Sequence, residues 1–314
     1  MKLGVLMDPL STLNHKKDTT LVFLARAHEL GFTCYYFTLQ DLFCQDGRAF
    51  ARVSSIVVEG KETPKIKTQW IGDEPLGEFD MILMRKDPPF DMEYIYATYI
   101  LELAEMEGVT IANHPQSLRD ANEKFLTLYA PNCCPPTLVT RDMGRLHDFW
   151  KEHQQVIFKP LAGMGGRSVF YVGEDGHNLS VILELLTQSE SETIMAQRFI
   201  EDIKTTGDKR ILLIDGEPVP FGLARFPKEG EHRCNLASGG HGEVVPITTR
   251  ERFICSEIAP LLRSKKLSFV GIDVIGGYLT EINVTSPTCL REIEQETGLD
   301  ISGDYLRYLA GLSL

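Results

Sequence analysis

Over its first 112 residues the chain alternates strand with helix, and that rhythm leaves few ways to fold. Residues 2–7 read as a buried strand. Asp18 then precedes a helical pattern that stops near Leu30 and Gly31, and Thr33–Phe37 resumes as a strand. The apolar run 80–84, the helical stretch 92–107 and the strand 109–112 continue the pattern. Strands joined by crossover helices pair in parallel, so residues 1–121 are expected to form an α/β lobe on a mostly parallel sheet. No Gly-x-Gly-x-x-Gly follows the first strand, which excludes a nicotinamide fingerprint.

From Lys124 onward the rhythm changes. Short strands at 137–140, 156–159, 168–172 and 193–199 are separated by helices and Gly-rich joints, the composition of an α+β lobe. Residues 209–225 read as two strands around the turn Asp215-Gly216-Glu217-Pro218. Segment 226–242 has no periodicity and exceeds ordinary connections, which marks a functional lid or disorder. With 314 residues the chain exceeds what one core usually serves. The expected units are 1–121, a central subdomain 122–200, and a C-terminal subdomain 201–314 that carries a metal site and the flexible loop 226–242.

Charge and cysteine usage narrow the function. A net charge of -12 argues against a nucleic-acid surface, so any anion site must concentrate its cations locally. Seven cysteines, an odd number without Cys-x-x-Cys spacing, imply reduced thiols, a cytoplasmic setting and no zinc. No apolar run approaches a membrane span, and the opening apolar stretch gives way to Asp8 and Pro9 too early for a secretory signal. Trp70, Trp150, Tyr94, Tyr96, Tyr99 and Met195 read as core or interface, and Glu102, Glu105 and Glu107 as a solvated face.

Two constellations carry chemistry. In the first, Lys159 ends a strand and Gly163, Gly165 and Gly166 follow in the turn, so backbone N–H groups can converge on phosphate oxygens beside a point charge. Alone, this is equally a flexible hairpin turn, and it is not a Walker A loop, because Gly-Lys-Ser/Thr is missing. The second is the hairpin of Phe269–Ile275 and 278–284, where Glu281 and Asn283 lie two apart and share one face. A two-residue turn at Gly276-Gly277 sets Asp273 opposite Thr280, whereas an odd-length loop or an equivalent bulge sets it opposite Glu281. Oxygen-only ligands of this kind suit Mg²⁺ bridging phosphates, and a solvated edge hairpin would show the same alternation. No nucleophilic triad is evident, and no histidine or cysteine is assigned a covalent role.

Lys124, Lys159 with its Gly-rich turn, the run Ala196-Gln197-Arg198-Phe199-Ile200, Asp273 and Glu281-Ile282-Asn283 follow the order of the ATP-grasp superfamily. The motifs Met84-Arg85-Lys86-Asp87-Pro88-Pro89-Phe90-Asp91, Asn113-His114-Pro115-Gln116-Ser117-Leu118-Arg119-Asp120, Gly207-Asp208-Lys209-Arg210 and Glu281-Ile282-Asn283-Val284-Thr285-Ser286-Pro287-Thr288 closely resemble bacterial glutathione synthetases. The resemblance runs from Lys16-Lys17-Asp18-Thr19-Thr20 to the last helix. It implies an α/β N-terminal lobe followed by a two-lobe α+β ATP-grasp fold. The implied reaction joins γ-glutamylcysteine to glycine through an acyl phosphate, with ATP cleaved to ADP and phosphate.

By the same resemblance, ATP is bound by Lys124, Lys159, Gly163, Met164, Gly165 and Gly166 at the phosphates, by Gln197, Arg198, Phe199 and Ile200 at adenine, and by Asp208 on the ribose side. Asp273, Glu281 and Asn283 would hold two Mg²⁺ ions, with Mn²⁺ as a substitute. Arg85, Asp87, Arg225, Asn283, Ser286, Pro287 and Thr288 would hold the dipeptide, and Arg210, Arg233 and Gly240 would be catalytic. Arg233 would reach inward from a lid hinged at Gly239-Gly240. Cys234 departs from the family's Arg-Gly-Asn and puts the lid's kinetics in doubt. A homotetramer is implied as well. The rival readings are another ATP-grasp carboxylate–amine ligase, acting on glutamate or D-amino acids, and a nucleotide-binding regulator without turnover.

Overall fold

A computed structural model describes residues 1–15, 17–60, 64–163, 165–226 and 241–312. The N-terminal sheet is built from β1 (Lys2–Leu6), β2 (Thr33–Phe37), β3 (Leu42–Gln45), β4 (Arg48–Glu59), β5 (Lys65–Pro75), β6 (Met81–Met84) and β7 (Thr110–Ala112). Its order is β3-β4-β2-β1-β6-β7, with β5 paired to β4. Helix α1 (Thr19–Glu29) starts where Asp18 accepts the Leu21 N–H at 2.8 Å. It stops at Leu30, and Gly31 follows at φ +79°, the left-handed stop that glycine adopts without strain. Helix α2 (Met92–Met106) is capped by Asp91 in the same way.

The sheet is mixed rather than mostly parallel. The pairs β1–β2, β1–β6 and β6–β7 are parallel, whereas β2–β4, β3–β4 and β4–β5 are antiparallel. Strand β4 buries Ala49, Ala51, Val53, Ile56 and Val58 in near alternation. Its partner β5 is polar and mostly exposed, so only the pairing with β4 makes it a strand. No strand was read from the sequence over 42–75, and for β5 its polarity is the reason. Trp70, expected in a core or an interface, is exposed on β5. On α2, Tyr94 is fully buried, whereas Tyr96 and Tyr99 are exposed. Glu102, Glu105 and Glu107 pair with Arg119, His114 and Arg48 rather than simply facing solvent.

Two antiparallel sheets follow. Short helix α3 (Pro115–Asp120) leads to β8 (Thr137–Thr140), helix α4 (Met143–His153), β9 (Val156–Pro160), β10 (Phe170–Val172), helix α5 (Leu179–Thr187) and β11 (Ile194–Arg198), with sheet order β10-β9-β11-β8. This sheet has its own core, including Leu146, Phe158, Leu183 and Ile194. After the turn-length helix α6 (Ile203–Thr206) come β12 (Asp208–Ile214), β13 (Glu217–Phe226), β14 (His241–Pro246), helix α7 (Thr249–Ser264), β15 (Phe269–Ile275), β16 (Tyr278–Asn283) and helices α8 (Leu290–Thr297) and α9 (Ile301–Leu309). The third sheet runs β14-β13-β12-β15-β16. Its apolar face is continuous with the N-terminal lobe: one cluster joins Leu6, Phe37 and Ile82 to Ile211, Val270 and Ile282.

Candidate active site

Adjacent strands of the third sheet bring charged residues to one face. Arg210 on β12 lies opposite Asp273 on β15, and Asp273 lies opposite Glu281 on β16. The hairpin closes on two glycines, with Ile275 paired to Tyr278. A regular ladder from there would oppose Asp273 to Thr280. A bulge at Thr280 resets the register, so Asp273 meets Glu281 and Gly271 meets Asn283. This is the bulged alternative that the sequence required for the three side chains to share a face. The Thr280 hydroxyl donates to the Asp273 carbonyl at 3.1 Å, and the Thr280 carbonyl accepts from Lys159 Nζ at 3.2 Å.

Asp273 is buried and accepts from Arg210 through Nε at 2.6 Å and Nη2 at 3.0 Å. Arg225 Nη2 lies 2.9 Å from the same carboxylate. Burial alone would raise the Asp273 carboxyl, but the two guanidiniums outweigh it and hold the group well below the usual carboxylate range. Asn283 Nδ2 donates to Asp273 Oδ2 at 3.3 Å, so the amide turns toward the acid. Beside them Asp208 pairs with Arg225 at 2.6 Å, while its other oxygen, Oδ1, is buried with no hydrogen-bond partner among the described residues. Burial pushes the Asp208 carboxyl up to about 7, against the pull of Arg225.

Two lysines face this sheet from outside it. Lys159 ends the core of β9, and burial lowers its ammonium to about 8, partly offset by Glu281. Lys124 Nζ donates to the Gly163 carbonyl at 2.8 Å and lies 3.1 Å from Glu281 Oε1. Gly163, Gly165 and Gly166 all have φ between +65° and +108°, a backbone that other residues adopt only under strain. Between the two antiparallel sheets, Phe199 and Ile203 pack with Ile157, Tyr171 and Ile275 in a small apolar cluster. The rings of Phe199 and Tyr171 are 4.7 Å apart. Ile200 borders the Gly276 turn, where an added Cβ would lie 2.8 Å from its side chain. Gln197 is buried and donates to Thr137 Oγ1 at 3.1 Å, and the Arg198 guanidinium lies over Tyr278.

On the N-terminal side, Arg85 follows β6 and is buried. It donates to Thr20 Oγ1 at 3.2 Å and to the Pro287 carbonyl at 3.0 Å, and Ser286 Oγ donates to the Arg85 carbonyl at 3.4 Å. Thr288 follows in the same segment, with its hydroxyl 3.8 Å from Cys289 Sγ. The Asp87 N–H is held by Asp8 at 2.9 Å. The sequence-assigned residues Met164, Arg233 and Gly240, together with Cys234, Gly239 and most of segment 226–242, lie outside the described residues.

Three further residues were given no individual role in the sequence reading. Glu123 is a half-buried acid that accepts from the backbone and hydroxyl of segment 284–285. Asn113 bonds both β15 and Val284 from the N-terminal lobe. Gly271 sits where a Cβ would fall 2.8 Å from Arg210 Cδ and 2.9 Å from Pro287 Cβ. Only Gly271 carried a signal, since glycine inside a strand marks a close approach.

The hairpin's donor set fits a hard divalent cation, with two carboxylates and an amide on one strand-pair face and no nitrogen or sulfur ligand among them. Among the described residues no three His, Cys, Asp or Glu side chains form a closed cage.

Comparison with known proteins bears on the same residues. Residues 1–119 match the family model for the N-terminal domain of prokaryotic glutathione synthetase, and residues 123–298 match the model for its ATP-grasp domain. A glutathione synthetase of Pseudomonas aeruginosa is 52% identical over 295 residues, covering 94% of this chain and 93% of the relative. One from Escherichia coli is 50% identical over 303 residues, covering 96% of each. Among solved structures, D-cycloserine synthetase DcsG superposes with a TM-score of 0.70 at 13% identity over 98% of this chain and 99% of its own. The ATP-grasp ligase PsnB with its minimal precursor gives 0.65 at 16% identity over 99% of each chain. At those identities the structural matches speak to the fold.

Proposed function

The chain belongs to the prokaryotic glutathione synthetase family, and from that premise we propose how it works as an ATP-dependent ligase that joins γ-glutamylcysteine to glycine. The observation that carries the reading is the bulged hairpin, which turns Asp273, Glu281 and Asn283 to one face opposite Lys124 and Lys159.

A carboxylate does not react with an amine at neutral pH, so one of its oxygens first attacks the γ-phosphorus of ATP and ADP leaves. Two anions then meet head-on, and cations must offset the repulsion. Lys124 and Lys159 supply two of them at the Gly-rich loop. Arg210 and Arg225, held in place by Asp273, present two more toward the reacting carboxylate. The family works with a divalent metal alongside ATP, and here Asp273, Glu281 and Asn283 would hold Mg²⁺, or Mn²⁺ in its place. When bound, that ion supplies charge neutralisation at the phosphate oxygens. The apolar cluster around Phe199 and Ile203 would pack against adenine, and the unpartnered Asp208 Oδ1 would accept from a ribose hydroxyl. Arg85 and the 283–288 segment would hold the dipeptide. Glycine's amine then attacks the acyl phosphate, forming the C–N bond as the C–O bond to phosphate breaks.

We also propose lobe boundaries near 121 and 200, a cytoplasmic setting and a homotetramer. The described cysteines are all free, and no described helix is long and apolar enough to cross a membrane. Met92, Tyr96, Tyr99 and Met106 form an exposed stripe along α2 that suits a subunit contact. Light scattering measures the assembly.

Coupled ADP release over a substrate panel tests the main reading. Turnover that needs γ-glutamylcysteine and glycine together is expected, and turnover with glutamate or D-amino acids instead would overturn the substrate assignment.

A further inference from the structure

Backbone groups that leave a sheet must find partners elsewhere, and segment 284–285 finds them in two side chains from outside its own sheet. Asn283 is the last residue of β16 paired to β15, opposite Gly271. Beyond it, the Val284 and Thr285 N–H groups donate to Glu123 Oε1 at 2.8 and 3.0 Å, and the Thr285 hydroxyl donates to the same oxygen at 3.0 Å. The Glu123 carbonyl accepts the Ile282 N–H at 2.9 Å. From the other side, Asn113 Nδ2 donates to the Val284 carbonyl at 2.7 Å. Val284 is thus gripped at both ends of its peptide. The next residue after Glu123 is Lys124, which holds Glu281 and Gly163.

We infer that Glu123 is a positioning residue: its carboxylate sets the dipeptide-holding segment 284–288 in fixed relation to Glu281 and to the phosphate lysine beside it. An acid suits this place because an ionised carboxylate only accepts, and three donors converge on one of its oxygens. A glutamine keeps one oxygen that accepts the three bonds but loses the charge that strengthens them. The segment would shift, and Ser286 and Pro287, which contact Arg85, would move with it. The apolar cluster around Phe199 lies elsewhere and would stay as it is.

This inference rests on the ligase reading above, and the test separates the two. Steady-state kinetics of Glu123→Gln, with ATP affinity measured by equilibrium titration, should show the KM for γ-glutamylcysteine raised roughly ten-fold or more and kcat lowered, while ATP affinity stays within about two-fold. Thr285→Val removes only the hydroxyl donor and should move the same two constants the same way by less; combined with Glu123→Gln it should add little further change, because both act through one oxygen. Thr285→Val also serves if Glu123→Gln does not fold. Unchanged dipeptide KM in both variants, or a loss of ATP affinity as large as the loss of dipeptide affinity, would overturn the assignment in favour of a merely structural role. A wild-type protein that releases no ADP with γ-glutamylcysteine and glycine would instead overturn the reading on which it rests.

Discussion

Glu281 and Lys159 show how burial decides what one substitution does. The Glu281 side chain is a quarter exposed, but its ion-pair partner Lys124 is buried, so a mild substitution must leave an oxygen for that ammonium, as glutamine does. Glu281→Gln is therefore expected to lower turnover by about a hundred-fold or more at saturating ATP, through loss of a metal charge, while the melting temperature moves by only a few degrees. Unchanged turnover at saturating Mg²⁺ would remove Glu281 from the metal site. Lys159 is buried, and desolvation brings its ammonium down to about 8. ATP favours the charged form, so binding draws in a proton above that pH. Affinity is full below about 8 and weakens as pH rises through it, by about ten-fold one unit higher. Lys159→Met should bind more weakly and lose that slope, and titrations at several pH values check both. At this scale the motif residues were legible because chemistry limits the residue types a phosphate or a metal accepts. Glu123 was not, and Asn113 was legible only as part of a motif without a role, because an acid or amide that serves a backbone has no sequence period of its own.

The hairpin of β15 and β16 shows what an element adds. Its sequence left two registers open, and the bulge at Thr280 chose between them by bringing Glu281 opposite Asp273. Periodicity alone does not place a bulge, so the site's geometry was legible only as a requirement. The meander β3–β5 was not legible at all, since β5 is polar and is a strand only because β4 pairs with it. Within β15, Gly271 leaves room for both Arg210 and Pro287. Gly271→Ala keeps an extended backbone but drives a methyl group into that space, so it should cost roughly 1–3 kcal/mol of stability. It should also raise the dipeptide KM with ATP affinity nearly unchanged, because Arg210 and the 283–288 segment are what must move. Thermal denaturation and a substrate titration measure the two effects. A stability loss without any change in KM would mean that the cleft absorbs the methyl elsewhere.

Across the whole molecule, the three sheets do not share one interior. Leu3, Val5 and Phe23 of the N-terminal lobe pack in one cluster with Leu212 and Phe269 of the C-terminal sheet and Tyr305 of α9. The core of the central sheet is drawn only from that sheet and its own helices. The sequence indicated where the rhythm changed, but which lobes fuse depends on contacts between residues more than a hundred positions apart, and no local pattern records those. A separate small core, held to the rest by the small apolar cluster around Phe199 and by polar links such as Lys159 to the Thr280 carbonyl, opens at lower free energy than a fused one. In the free protein the amides of β9 and β11 should therefore exchange with solvent before those of β1 and β15. On the proposed reading, ATP sits between the central and C-terminal sheets and has to be released before the central lobe opens. At a concentration about a hundred times its Kd it should protect β9 and β11 by about 2.7 kcal/mol, an exchange roughly a hundred-fold slower. Hydrogen exchange read by mass spectrometry resolves these strands. Equal rates for β9 and β15 without nucleotide would mean that the three lobes open as one body, and the central lobe would then have no independent motion with which to admit ATP.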